Sequence, residues 1–170
     1  YQMIYETVAA VDMGSNSFRL QVGRVVDDQI YTLDSLKEPV RLASGLNGEK
    51  RLDTPSQERA LGALRLFGER LRGLDQRAVR AVATNALRVA KNSAEFLPAA
   101  EEALGFPIEI IAGREEARLI YLGASHSLPS AAHKRLVIDI GGGSTEFIIG
   151  KRHEPQLMES LYMGCVSYTL

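Results

Sequence analysis

A short glycine- and serine-rich motif occurs twice in the chain, and it restricts the fold more than any other feature. Residues 11–17, VDMGSNS, return as residues 138–144, IDIGGGS. The acidic residues of the two copies, Asp12 and Asp139, lie 139 − 12 = 127 positions apart, and the same offset aligns Gly23 with Gly150. Each copy follows an apolar or β-branched run and precedes another. The repeat therefore predicts two similar strand–turn–strand units.

Each repeated turn has the composition of a phosphate-binding loop. Glycines leave consecutive backbone N–H groups open to an anion, and hydroxyl and amide side chains add further donors. Two such turns predict a phosphate chain held from both sides, and the alternative is a pair of ordinary tight turns made of common turn residues. The predicted phosphate-binding residues are Gly14, Ser15, Asn16, Ser17, Gly141, Gly142, Gly143, Ser144 and Thr145.

Acidic residues accompany both turns. A carboxylate repels phosphate oxygens, so it is better suited to hold Mg²⁺ or a similar divalent cation, directly or through water. Asp12, Asp139 and Glu146 are the predicted metal ligands, and the sequence does not rank them.

The charge balance gives no electrostatic signature of a nucleic-acid or membrane-binding protein. The chain has 20 Lys and Arg against 21 Asp and Glu, a net charge of −1. A polyanion would need a local basic groove, for which Arg88, Arg114 and Arg118 are candidates. The sequence has no apolar run long enough to span a bilayer and no signal-peptide pattern at its start. We expect a cytoplasmic protein without membrane insertion.

The cysteine and histidine residues show no metal-ligand pattern. Cys165 is the one cysteine, has no Cys or His at ligand spacing, and is predicted to be a buried thiol. His126, His133 and His153 lie in polar stretches and are predicted to be at the surface.

The first third of the chain predicts a strand meander followed by a helix. Residues 7–12, 17–26 and 29–36 are rich in β-branched and apolar residues, with a turn at residues 27–28. Thr54 is the predicted N-cap of the helix, with Pro55 at its first position.

Strands and helices alternate in the middle of the chain. We predict a strand at residues 79–83, a polar loop at Thr84 and Asn85, and a helix capped by Asn92. Another strand at 108–111 leads into a helix from Arg114. This order predicts an α/β fold, a mixed sheet with an antiparallel meander flank and covering helices.

The second copy of the repeat sets the predicted domain division. Residues 146–150 and 156–162 predict two strands that copy the first meander. We expect residues 1–135 to form one domain and residues 136–170 to begin a second, duplicated subdomain. A repeat that starts its second round and stops suggests a fragment of a longer protein.

Three segments together resemble the exopolyphosphatase/guanosine pentaphosphate phosphatase family. They are residues 10–18 (AVDMGSNSF), 113–121 (GREEARLIY) and 137–146 (VIDIGGGSTE). The resemblance implies the actin-like, ribonuclease H-like fold of the ATPase superfamily, in which a phosphate chain lies between two duplicated domains. This chain resembles the N-terminal domain of the family.

The resemblance also implies residue roles. It makes Glu116 the general base that activates water and places Arg88 beside the bound phosphate, where a planar guanidinium can clamp two oxygens. From the residues alone, Glu115 and Glu116 are equally consistent with a helix first turn stabilised by the helix dipole, and Arg88 with an exposed helix arginine. Glu115 is expected at the surface, and Asn85 is given no role.

The expected function is Mg²⁺-dependent removal of the terminal phosphate from linear polyphosphate. One alternative is hydrolysis of the 5′-terminal phosphate of guanosine pentaphosphate, and another is a nucleotide- or phosphate-binding regulatory module without turnover. The chain alone is expected to be weakly active or inactive because half of the enclosure would be missing. The full-length form is expected to be a homodimer without a nucleic-acid partner.

Overall fold

The structure, a computed structural model, describes residues 5–27, 29–129 and 133–168. The chain forms two compact units, Tyr1–Ile110 and Ile111–Leu170. Both combine strands with helices, so the predicted α/β class is confirmed. None of the helices in the described ranges combines the length and apolar character needed to cross a membrane.

The first unit contains a mixed five-stranded sheet. Its spatial order is β3-β2-β1-β4-β5, with antiparallel β3-β2-β1 pairing and parallel β1-β4-β5 pairing. The predicted meander flank is therefore confirmed. The elements are β1 (Thr7–Met13), β2 (Phe18–Val26), β3 (Gln29–Glu38), α1 (Thr54–Leu71), β4 (Val79–Ala83), α2 (Asn85–Val89), α3 (Ser93–Leu104) and β5 (Ile108–Ile110).

Alternate residues of β1 and β2 form the core of this unit. Val11, Met13, Phe18 and Leu20 are at most 1% exposed and belong to one apolar cluster with residues of α1 and α3. Helix α1 approaches α3 closely at Gly68, where a Cβ would lie 2.7 Å from the Leu104 carbonyl oxygen. Glycine is required there because the two backbones are in contact.

Two helix starts differ from the sequence prediction. Asp53, not Thr54, is the N-cap of α1, and its carboxylate accepts a 2.8 Å hydrogen bond from the Ser56 backbone N–H. Asn92 precedes α3, but its side chain does not cap that helix. Its side-chain amide instead accepts a hydrogen bond from the Leu52 N–H at 2.8 Å and donates one to the Leu52 carbonyl oxygen at 3.0 Å. These two hydrogen bonds hold the segment around Leu52, which lies 40 residues earlier in the chain.

The second unit is a helix packed on a three-stranded antiparallel sheet, in the order β6-β7-β8. Its elements are α4 (Gly113–Ser127), β6 (Lys134–Ile140), β7 (Thr145–Lys151) and β8 (Glu154–Leu161). Ala117, Tyr121 and Ile148 form its buried cluster. The compact unit begins at Ile111 because α4 packs on this sheet. The predicted division into residues 1–135 and a duplicated subdomain from residue 136 stays a prediction.

The direction of α4 places its first turn at a defined end of the sheet. The Tyr121 hydroxyl donates to the Arg152 carbonyl oxygen at 3.1 Å, and Ser125 Oγ lies 3.1 Å from His153 Nδ1. The second half of α4 therefore lies at the β7–β8 turn. Its N-terminus is directed towards the other end, where the β6–β7 turn lies.

The opposite face of the second sheet is exposed. Leu136, Ile138 and Ile140 are 56%, 49% and 69% exposed. Their counterparts 127 positions earlier are Ala9, Val11 and Met13, which are at most 7% exposed. No helix in the described part of the second unit covers this face, and it carries an apolar groove of about 440 Å³.

The two hairpins share register as well as sequence. In the first, Asp12 lies opposite Arg19, and in the second, Asp139 lies opposite Glu146, again 127 positions later. Both second strands shift register against the third strand at the equivalent points, between Val22 and Gly23 and between Ile149 and Gly150. The duplication predicted from the sequence is therefore present in the backbone.

Candidate functional site

The first glycine turn joins β1 to β2 in unit 1. The segment after β3 supports it from the side: the Arg41 N–H donates to the Asn16 carbonyl oxygen at 2.7 Å, and the Ala43 N–H donates to that of Ser15 at 2.9 Å. Ser15 is 5% exposed. A Cβ on Gly14 would lie 3.0 Å from the Ser17 carbonyl oxygen, so the turn is closed tightly.

The loop after β4 lies beside this turn. β1 and β4 are parallel and end together at Met13 and Ala83, and the Thr84 N–H donates to the Met13 carbonyl oxygen at 3.3 Å. Thr84 and Asn85, predicted as a polar loop, are each 7% exposed, and Asn85 begins α2. Arg88 follows in the same short helix and is half-buried.

The second glycine turn joins β6 to β7 in unit 2. The Gly141 N–H donates to the Ser144 carbonyl oxygen at 2.9 Å. The segment after β8 supports this turn through two backbone hydrogen bonds. The Cys165 N–H donates to the Gly141 carbonyl oxygen at 3.0 Å, and the Val166 N–H donates to the Gly142 carbonyl oxygen at 2.9 Å. In both units, the chain after the third strand returns to brace the turn of the first hairpin.

Cys165 is exposed, and the prediction of a buried thiol is wrong. The residue lies in the bracing segment and lines the groove on the uncovered face of the sheet. Burial of a thiol depends on what packs over it, and residue type alone does not supply that covering. The three histidines are exposed as predicted, and the rings of His126 and His153 stack at 4.2 Å.

Asp139 and Glu146 are cross-strand partners beside the second turn. Glu146 is 1% exposed, and its Oε1 accepts a 2.8 Å hydrogen bond from Ser160 Oγ. Asp139 is exposed. Like charges directly opposite each other are destabilising in a sheet, and a cation would remove that repulsion.

The carboxylates fit one type of metal site. No three His, Cys, Asp or Glu side chains of the residues searched form a group able to hold a metal ion. Mg²⁺ is usually held by one or two carboxylates together with substrate phosphates and water, so the Asp139–Glu146 pair fits that arrangement. Asp12 lies in the other unit, and its grouping with these two residues stays a prediction.

The first turn of α4 carries the predicted base. Glu115 accepts two hydrogen bonds of 2.8 Å from the Arg118 guanidinium, and this pairing raises the pKa of Arg118. Arg118 is therefore already engaged by a carboxylate. Glu116 is half-buried in the turn that is directed towards the β6–β7 end of the sheet. Its role as a base, and the role of Arg88, stay predictions.

Ser160 and Asn85, to which the sequence assigns no role, also lie beside these turns. Ser160 holds the buried carboxylate of Glu146, and Asn85 is buried at the edge of β1 and β4. The sequence contained a signal for Asn85: Thr84 and Asn85 are two polar residues between a buried strand and the apolar start of a helix. Ser160 gave no signal, because its position opposite Glu146 depends on strand register.

Comparison with known proteins identifies close similarities. Residues 21–170 match the Ppx/GppA phosphatase family. An exopolyphosphatase-like protein of known structure is 35% identical with a TM-score of 0.86, and the match covers 94% of this chain and 51% of that one. An exopolyphosphatase from Cytophaga hutchinsonii is 33% identical with a TM-score of 0.84, covering 93% and 51%. The Aquifex aeolicus PPX-GPPA enzyme is 32% identical with a TM-score of 0.82, covering 95% and 54%.

The chain thus spans about half the length of the structures it matches. A more distant likeness, to the PilM–PilN pilus biogenesis complex, has 13% identity and a TM-score of 0.55 and concerns the fold alone. It agrees with the predicted actin-like α/β fold.

Proposed function

The chain belongs to the Ppx/GppA phosphatase family, and from this premise we propose that it carries the phosphate-binding and water-activating residues of an exopolyphosphatase. The substrate is a linear polyphosphate, from which the terminal phosphate is removed by direct attack of water. The observation that carries this proposal is the pair of matching glycine turns, each braced through backbone hydrogen bonds. Two of the similar structures bear the name exopolyphosphatase or exopolyphosphatase-like.

In the proposed mechanism the two turns bind phosphate oxygens through backbone N–H groups and hydroxyls. The Glu116 carboxylate orients a water molecule and accepts its proton as the oxygen attacks the terminal phosphorus. The Arg88 guanidinium is assigned to contact a phosphate oxygen. Asp139 and Glu146, with Asp12 as a further candidate, would hold Mg²⁺, which when bound neutralises phosphate charge.

Replacement of Glu116 tests the proposed base, and Glu115 offers a matched control one residue away. We expect Glu116→Gln to lower kcat for phosphate release from polyphosphate by roughly 10²- to 10⁴-fold. Because the amide keeps the size of the side chain, the Kd for polyphosphate should change little. Glu115→Gln should keep the wild-type rate, because the Glu115 carboxylate binds Arg118. Wild-type turnover in Glu116→Gln would refute the assigned base.

The same assay separates the candidate substrates. Phosphate release is measured with long-chain polyphosphate and with guanosine pentaphosphate at equal concentration, using the chain described and the complete protein. A higher kcat/KM for polyphosphate is expected. A higher value for the nucleotide would transfer the proposal to guanosine pentaphosphate. Binding of either ligand by the complete protein without phosphate release would indicate a regulatory module.

A further inference from the structure

Two buried polar atoms lie at the phosphate-binding edge of unit 1 without hydrogen-bond partners among the described residues. They are Ser15 Oγ, in the first glycine turn, and Asn85 Oδ1, at the start of α2. Ser15 is 5% exposed and Asn85 is 7% exposed. The great majority of buried polar side-chain atoms in folded proteins have a partner, so these two atoms require a hydrogen-bond partner from outside the described residues, such as water or a ligand.

The two residues belong to one edge of the sheet. They follow the ends of β1 and β4, which are adjacent parallel strands. The Thr84 N–H hydrogen bond to the Met13 carbonyl oxygen, 3.3 Å long, joins the two loops. Ligands of α/β proteins bind at this carboxyl edge of parallel strands.

The chemistry of the two atoms differs. A serine hydroxyl can donate to a phosphate oxygen, but an amide oxygen only accepts, and phosphate oxygens are themselves acceptors. Water resolves the mismatch because it can donate one hydrogen to the amide oxygen and the other to the phosphate.

We propose that Asn85 is a ligand-binding residue: its Oδ1 accepts a hydrogen bond from a water molecule ordered by a phosphate group, to which Ser15 Oγ donates directly. This inference rests on the proposed phosphate-binding function. It gives a role to a residue that the sequence left without one.

Asn92 provides a matched control. It is as deeply buried as Asn85, at 6% exposed, but its amide donates to and accepts from the Leu52 backbone at 3.0 and 2.8 Å. Its replacement breaks two hydrogen bonds that exist in the protein itself. Replacement of Asn85 removes an acceptor that none of the described residues satisfies.

The test combines thermal melting with titration of sodium tripolyphosphate in the presence of Mg²⁺. Without tripolyphosphate, both variants lose buried packing, but Asn92→Ala also loses two hydrogen bonds and should melt lower than Asn85→Ala. With tripolyphosphate, Asn85→Ala should bind about 2- to 12-fold more weakly, the range expected for one hydrogen bond. Asn92→Ala should keep the wild-type Kd.

Each other outcome has a defined meaning. Wild-type affinity in Asn85→Ala would overturn the inference while leaving the proposed function intact. A melting temperature of Asn85→Ala as low as that of Asn92→Ala would also overturn it, because Oδ1 would then have a structural partner. Failure of the wild-type protein to bind tripolyphosphate would overturn the proposed function and this inference together.

Discussion

Asp139 lies directly opposite Glu146 across the β6–β7 ladder. The equivalent position in the first hairpin pairs Asp12 with Arg19, so the duplication has kept the geometry and inverted the charge of one partner. Only the second hairpin therefore holds two carboxylates side by side next to a glycine turn. This asymmetry distinguishes two turns that look alike in sequence.

The first prediction concerns this pair. In EDTA at low ionic strength, Asp139→Asn should raise the melting temperature by about 1–4 °C, because it removes a like-charge cross-strand contact. The same variant should lose much of the stabilisation that Mg²⁺ gives the wild type. Asp12→Asn is the control and should show no rise, since Asp12 faces Arg19. A lower melting temperature of Asp139→Asn in EDTA would contradict the repulsion.

The second prediction concerns the segment that braces the second turn. A Cβ on Gly164 would lie 2.5 Å from the carbonyl carbon of Gly142 and 2.6 Å from the Gly141 oxygen. Gly164→Ala should therefore displace the turn and weaken tripolyphosphate binding by on the order of tenfold or more, as small misplacements at a binding site do. Isothermal titration measures the loss.

Gly62 in α1 supplies the control for that substitution. A Cβ at this position would meet no atom within 4 Å, so Gly62→Ala should leave binding unchanged. It should also raise stability slightly, by about 0.5–1 kcal/mol, because alanine favours a helix. Equal binding by both variants would show that the brace does not position the turn.

The third prediction follows from the cap of α1. Hydrogen bonds from the Ser56 side chain and backbone N–H lower the pKa of the Asp53 carboxyl. Its stabilising contribution is therefore present above the unfolded-state pKa and is lost as the pH falls through the lower, folded-state value. Asp53→Asn keeps a cap but cannot titrate. As the pH falls from about 5 to about 2, the wild type should lose stability at this cap, so the melting temperature of Asp53→Asn should rise relative to that of the wild type.

Asp53→Ala removes the cap itself. It should melt lower than both the wild type and Asp53→Asn at pH 7, where the wild-type carboxylate is ionised. Thermal melts of the three proteins across the acid range measure these differences. A constant difference between wild type and Asp53→Asn at all pH values would refute the linkage.

The fourth prediction uses the exposure of Cys165. One equivalent of a thiol reagent such as DTNB should react with the native protein, without denaturant, because the residue is exposed. The absorbance change measures the stoichiometry, and the urea-unfolded protein gives the reference value. Reaction only after unfolding would restore the buried thiol that the sequence predicts.

Local patterns predicted most of the fold. The strand at Val79–Ala83 has the predicted bounds, and the meander and the mixed sheet follow from alternation and turn residues. The repeat predicted two similar strand–turn–strand units, and the structure adds that the two hairpins share their register. These features depend on residues near each other in the chain, which is why the sequence alone reveals them.

What the sequence could not predict depends on tertiary contacts. Asp53 and Thr54 are both good caps, and the backbone geometry at Asp53 decides between them. The burial of Asn85 depends on neighbours from distant strands, and the Ser160 contact to Glu146 depends on how β8 aligns with β7. The placement of α4 in the second unit likewise follows from packing on β7 and β8.

The bare face of the second sheet has a practical consequence for handling the protein. Leu136, Ile138 and Ile140 are exposed to solvent, whereas the equivalent residues of the first hairpin are buried. We expect such a patch to adsorb to phenyl resins and to air–water interfaces. Salts such as sulfate, which strengthen hydrophobic association, should promote self-association of the chain through this patch. Purification at low concentration in a mild detergent should therefore keep the chain monodisperse.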